Sequence, residues 1–254
     1  MKYISLLLLI GLFFNWELKA QEKNPTIVKI DRALLAGEAL DTIPQKQPDR
    51  VVYQSRVYDG NEIVIYMVAI GTGITNTFKG FPLEEFIFWM NGKALVEPVG
   101  EKPFEVQSGD YFIQAKGFTG NWNFIDNGGI HLELALVAKN RIPESDNSPI
   151  TKAMIIDKDL ISGISTENKE GRNTIYEGVE LIVNIVGFKN WKIRSIKKER
   201  MIHLLNGVVT ITGEDQKPAK YYPGDFLIIP EGFSGTWQNV GQQAVRAIEV
   251  YRAY

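Results

Sequence analysis

Apolar residues in this chain cluster in short runs, and few of them keep the three-to-four-residue spacing of an amphipathic helix. Val51-Val52-Tyr53, Ile63 to Ile70, Glu84 to Met90, Ile130 to Val137, Val179 to Val186, Phe226 to Ile229 and Val245 to Tyr251 all have strand length and strand composition. Ile63 to Ile70 and Val179 to Val186 are apolar on both faces, as strands covered on both sides should be. Glycine, proline and the Asn91-Gly92 and Asn206-Gly207 pairs punctuate the runs, and Asn-Gly between apolar segments predicts a tight hairpin. Thr26 to Ile30 predicts an edge strand, Arg32 to Leu40 a short helix, and Pro44 to Pro48 a linker. Met154 to Ile156, followed by Asp157 to Ser165, is the counterpart of that N-terminal segment, and Arg141 to Pro149 is a second linker. The fold class is all-β.

One stretch occurs twice. Gly109-Asp110 to Gly117-Phe118-Thr119-Gly120-Asn121-Trp122 returns as Gly224-Asp225 to Gly232-Phe233-Ser234-Gly235-Thr236-Trp237. Both glycines, the tryptophan, the upstream Asn-Gly pair and Lys102-Pro103 share one offset of 115 residues. Nothing is inserted or deleted between the first shared landmark and the last, which makes the chain a tandem duplication of one β-unit. Strand, Asn-Gly turn, strand, Gly-Asp turn, strand and Pro-x-Gly turn, in that order, describe half a jelly roll, so two such barrels are expected.

Composition adds little to this picture and excludes some functions. The 254 residues carry a formal net charge of −2 and no long basic run, so no nucleic-acid partner is implied. Lys197-Lys198-Glu199-Arg200, interrupted by an acid, reads as a solvated strand start. Met1-Lys2, the apolar Ile4 to Phe14 and Leu18-Lys19-Ala20 form a secretory signal peptide over residues 1–20, with Gln21 opening the mature chain. An uncleaved anchor is the alternative reading; with the signal removed, no membrane span is expected. The chain has no cysteine, which removes lipoprotein attachment and disulfides. A periplasmic or secreted bacterial protein is expected, with domains at 21–142 and 143–254.

The repeated stretch resembles the second motif of the cupin superfamily: Gly, five residues, Pro-x-Gly, two residues, His, three residues, Asn. Gly224, Pro230, Gly232 and Asn239 match it, while Gly235 stands at the His position. In the first copy Gly109 and Gly117 match, Ala115 replaces the proline and Gly120 the His. The Gly-Phe-Ser/Thr-Gly-x-Trp ending is most similar to the branch holding ureidoglycine aminohydrolase and ethanolamine-utilisation cupins. The resemblance implies two tandem cupin barrels. It also implies a divalent metal held by three His and one Glu, and those ligands are missing. Only His131 and His203 exist, one per repeat, and neither belongs to a His-x-His pair. One His with carboxylates is the remaining metal option; the expectation is no metal and no cofactor.

The family's Glu position falls on Glu85 in the first copy and Arg200 in the second. One strand register turns Arg200 into its barrel, where a guanidinium needs an anionic partner; a one-residue shift turns His203 inward instead. Trp122 and Trp237 lie two residues after the lost His positions, on the same strand face. They read either as ligand walls, with the preceding glycines leaving room, or as core residues filling the barrel. Glu133 and Glu249 occupy matching places in the expected final strands and face either solvent or a polar cavity, where they would bind hydroxyls or act as acid or base.

Glu85, Trp122, Glu133, Arg200, Trp237 and Glu249 are therefore the candidate ligand-binding residues. The leading function is metal-free binding of a small polar molecule, anionic or sugar-derived. The alternatives are a carboxylate-dependent hydrolase, lyase or isomerase, and an assembly protein that forms a homodimer through its outer sheets.

Overall fold

The computed structural model describes residues 24–43, 52–71, 73–125, 129–139, 152–162 and 170–254. The expected signal peptide at 1–20 and both expected linkers fall outside these. More than half of the described residues lie in strands, with short helices at Arg32–Leu35 and Lys158–Ser162, and the strands form two barrels of one large and one small antiparallel sheet each.

In the first barrel the large sheet runs Met154–Ile155, Tyr111–Gln114, Glu85–Asn91, Ile130–Ala138, Ile63–Gly71, Val52–Asp59, Asp41–Ile43. Its small sheet runs Thr75–Phe78, Gly120–Phe124, Lys93–Pro98, Phe104–Gln107. The second barrel repeats the plan. Its large sheet runs Val28–Lys29, Phe226–Ile229, Arg200–Asn206, Val245–Arg252, Leu181–Phe188, Gly171–Glu177, and its small sheet Asn190–Ile193, Gly235–Asn239, Val209–Gly213, Ala219–Tyr221.

Alternation along each strand divides the apolar residues between three cores. Ile87 and Trp89 point into the first barrel with Val96, Phe112, Trp122 and Phe124. Ile202 and Leu204 point into the second with Leu227, Phe233 and Trp237. Residues of the opposite parity, among them Met67, Phe86, Ile113, Leu136, Leu181, Met201, Ile228 and Val250, form a third core where the two large sheets pack back to back. This explains why the central runs are apolar on both faces: one face fills a barrel and the other joins the barrels.

Several expectations are corrected. Asn91-Gly92 and Asn206-Gly207 do not close hairpins. Glu85–Asn91 lies in the large sheet and Lys93–Pro98 in the small one, so the pair is a corner between sheets, and likewise in the second barrel. Gly92 and Gly207, at φ 91° and 76°, supply the left-handed turn that the corner needs.

The segments preceding the barrels are exchanged. Val28–Lys29 pairs with Phe226–Ile229 of the second barrel, and Met154–Ile155 pairs with Tyr111–Gln114 of the first. Chain order and sheet membership therefore part company at both segments. Each is fastened by the Asp of a Gly-Asp turn. Lys29 and Arg32 reach Asp225 at 2.8 and 3.2 Å, and Lys158 reaches Asp110 at 2.7 Å.

Lys197 to Arg200 is not a solvated strand start. Lys198 Nζ donates to the carbonyls of Arg252 and Ala253, Glu199 is buried, and Arg200 enters the barrel. Tyr58 of the first barrel donates to the Glu199 carboxylate, which also accepts from the Glu62 and Ile63 amides at 3.0 Å. The mirror set is Tyr176 donating to Glu84, whose carboxylate accepts from the Glu180 and Leu181 amides at 2.8 Å. Both acids are fully hydrogen-bonded across the joint, as buried carboxylates must be.

Candidate functional site

The second barrel encloses a cavity of about 280 Å³. Trp191, Ile193, Ile196, Ile202, Ile229 and Trp237 form its apolar wall, and Arg172, Arg200 and Glu249 its polar floor. Arg200 and Ile229 are paired across neighbouring strands of the large sheet, and Trp191 and Trp237 across the small sheet, so both sheets contribute.

Glu249 holds the centre of the floor, with its side chain 1% exposed. Arg172 grips it with two nitrogens, Nε to Oε2 at 2.7 Å and Nη2 to Oε1 at 2.9 Å. Arg200 Nη1 reaches Oε1 at 2.6 Å, and Asn184 Nδ2 reaches Oε2 at 2.8 Å. Thr174 in turn donates to Asn184 Oδ1 at 2.8 Å, which fixes the amide's orientation. Each Glu249 oxygen accepts two bonds, which saturates the carboxylate. Arg172 Nη1 and Arg200 Nη2 make no bond to it. Two guanidiniums against one carboxylate leave one positive charge in excess.

The register question is thereby answered. Arg200 faces the barrel, its guanidinium 5.0 Å from the Tyr251 ring centre. His203 faces the joint between barrels, where it stacks on Phe226 at 3.8 Å and bonds Tyr111 Oη through Nδ1 at 2.6 Å. Burial there pushes the imidazole down to about 3, against a smaller opposing pull from Asp225.

The first barrel is built differently. Glu85, Glu133 and His131 all face its interior, with His131 Nε2 and Glu133 Oε2 2.7 Å apart. Burial, and secondarily Glu133, push the Glu85 carboxyl up to about 8. Trp122 packs among Phe78, Trp89, Phe112 and Phe124 at ring distances of 5.2–6.3 Å. The structure thus unites Arg200, Trp237 and Glu249 in one site and Glu85 and Glu133 in another.

Two further readings are corrected. Glu133 and Glu249 are not equivalent and neither faces solvent: Glu249 pairs with Ile202 and Ala135 with Ile87, so Ala135 is the counterpart of Glu249, and Ala247 that of Glu133. The glycines at the lost His positions leave no room either. A Cβ on Gly120 would strike the Glu97 carbonyl and Phe118, and one on Gly235 would sit 2.5 Å from Thr212 O and 2.8 Å from Phe233 Cζ. In the second barrel the donor set does not fit the family's metal, since an arginine stands where its Glu would be and no imidazole fits beside it; among the described residues of either barrel no group of three or more His, Asp or Glu is placed to hold a metal ion. Arg172 and Asn184 were not found by sequence reasoning, and the only signal was that Glu249 needed a partner from a neighbouring strand.

Among known proteins, the family model for the EutQ-like cupin domain matches residues 62–127 and again 190–246. No curated protein matches the chain. Similar solved structures include a glyoxylate-induced protein of Pseudomonas aeruginosa, 12% identical over 91% of this chain and 90% of that one, TM-score 0.61. A cupin 2 conserved barrel domain protein from Leptotrichia buccalis is 12% identical over 91% and 98%, TM-score 0.56. Oxalate decarboxylase of Bacillus subtilis is 11% identical over 90% and 77%, TM-score 0.50. At such identities the likeness is one of fold.

Proposed function

From membership of the cupin superfamily, with two EutQ-like cupin domains in one chain, we propose that the protein is an exported bicupin whose C-terminal barrel binds a small organic anion without a transition metal. The observation that carries this reading is the Arg172–Glu249–Arg200 cluster on the floor of an apolar cavity. Arginine presents several donors in one plane and suits a carboxylate or similar oxyanion. The indole faces of Trp191 and Trp237 and the isoleucine side chains call for an apolar body on that anion. Arg172, with 44% of its side chain exposed, stands where a ligand would enter.

The enzymatic alternative is less well supported in this barrel. A general base must accept a proton, and all four acceptor positions of Glu249 are already used. The short apolar run and the Leu18-Lys19-Ala20 end support export, and N-terminal sequencing of the mature protein should begin at Gln21. A homodimer would need other surfaces than the backs of the large sheets, which pack on each other within the chain.

The binding test is calorimetry with a panel of aliphatic and aromatic monocarboxylic acids against their matched primary amides, with and without EDTA. Binding of acids over amides, lost in Arg200→Met and indifferent to EDTA, is the expected result. Equal binding of acids and amides, or loss on chelation, would overturn the proposal.

A further inference from the structure

The duplication places four positions of the first barrel where the second has its cavity. Asn76, Glu85, Gln114 and Trp122 stand 115 residues before Trp191, Arg200, Ile229 and Trp237. The strand pairings repeat as well: Glu85 lies opposite Gln114 as Arg200 lies opposite Ile229, and Trp122 opposite Asn76 as Trp237 opposite Trp191. In the second barrel all four positions line one cavity, so in the first they surround the equivalent point.

In the first barrel these positions hold polar groups without protein partners. Gln114 is fully buried, yet neither its Oε1 nor its Nε2 has a hydrogen-bond partner. Asn76 Oδ1 and Trp122 Nε1 are buried and unpartnered too. Native interiors rarely leave one such atom unsatisfied, and four around one point are a strong departure. Glu85, Tyr66, Val68 and Phe78 face the same interior and are only partly buried, so the interior is not closed over them.

We propose that the N-terminal barrel is a second binding site, taking an uncharged small molecule that both donates and accepts hydrogen bonds, of polyol or primary-amide type. Acceptors on the ligand would take Gln114 Nε2 and Trp122 Nε1; its donors would meet Gln114 Oε1, Asn76 Oδ1 and Glu85. An anion is disfavoured because the position that holds Arg200 in the second barrel holds the acid Glu85 in the first. A cation is disfavoured because Glu133 already has His131 as its partner, and burial keeps the Glu85 carboxyl protonated at neutral pH. With an anion in the C-terminal cavity, the two barrels would select ligands of different charge with one architecture; the N-terminal site itself does not depend on that reading.

The test follows the indole N–H resonance of Trp122 in the full mature chain, assigned with Trp122→Phe, during titration with D-mannitol and with acetamide. One of the two should shift that resonance saturably. Gln114→Leu should weaken the effect roughly tenfold or more by removing both amide bonds. Lys220→Ala, on the exposed edge strand of the other barrel, should leave it in place. An unmoved Trp237 resonance shows that each variant is folded; if Gln114→Leu does not fold, Asn76→Val takes its place. No response to either probe, a response that survives Gln114→Leu, or a response confined to methylammonium, benzoate or Mn(II) would each overturn the proposal.

Discussion

A histidine at residue 235 would bring its Cβ against Thr212 O and Phe233 Cζ, so the family's ligand cannot be restored by one substitution. Gly235→His is expected to cost about 2 kcal/mol or more through overpacking and to recruit no Mn, Fe, Ni or Zn. Urea denaturation and elemental analysis of protein purified without chelator check both statements. Trp237 is 1% exposed and belongs to the barrel core as much as to the cavity wall. Trp237→Ala should therefore cost about 3–5 kcal/mol, while Trp237→Phe should keep the fold and report on ligand contact alone. Glu249→Gln withdraws the charge that Arg172 and Arg200 share, leaving Arg200, 13% exposed, without its counter-ion. Stability should fall by about 3 kcal/mol, and carboxylates should bind more tightly because both guanidiniums are released; denaturation and calorimetry on the same variant separate the two effects. At this scale spacing matched Glu85 with Arg200 and Trp122 with Trp237 across the repeats, while leaving open which strand face Arg200 takes. It misled at Glu133 and Glu249. The loop after Asn239 shifts the final strand by one residue against the constant offset, and no local residue signals such a shift.

The strands themselves were legible because barrel filling and barrel joining both demand apolar side chains, which marks each strand as a continuous run. Their partners were not. Tyr58 and Glu199 are 141 positions apart and Tyr176 and Glu84 are 92 apart, and neither tyrosine announces a distant carboxylate. Glycine records the contact indirectly. A Cβ at Gly60 would overlap the Glu199 carboxylate, and one at Gly178 that of Glu84. Gly60→Ala and Gly178→Ala should each displace a buried carboxylate from its amides and destabilise the joint by about 2 kcal/mol. Hydrogen exchange should then show faster opening at the Glu62–Ile63 or Glu180–Leu181 amides than in the barrel cores. The exchanged segments follow the same logic. Burial alone would raise the Asp225 carboxyl, but Lys29, the Tyr222 amide and Arg32 hold it below its ordinary value. The docking of Val28–Lys29 on the second barrel should thus weaken as pH falls through the acid range, when that carboxylate is protonated.

Across the whole molecule, two buried groups pull the pH dependence of folding in opposite directions. His203 is held neutral at the joint, with its pKa at about 3 against 6.5 for the free imidazole. Between those values the unfolded chain binds a proton that the folded one refuses, so stability is lost as pH falls through this window. Glu85 is held protonated in the first barrel, with its pKa at about 8 against 4.5. Between these values the folded chain keeps a proton that the unfolded one releases, so its contribution is full at low pH and lost as pH rises. The windows overlap between about 4.5 and 6.5, where the two slopes cancel. Glu85→Gln should remove the alkaline slope, so its stability relative to the parent rises between about pH 4.5 and 8 by up to about 1.4 kcal/mol per pH unit. His203→Gln, whose amide still reaches Tyr111, should gain on the parent as pH falls below about 6.5, by about 2 kcal/mol near pH 5. Urea denaturation of parent and variants across this range separates the two limbs. A Glu85→Gln profile parallel to the parent between pH 6.5 and 8 would show Glu85 already ionised in the folded chain. The first barrel would then be anionic rather than neutral, and a cation would replace the uncharged ligand as its natural occupant.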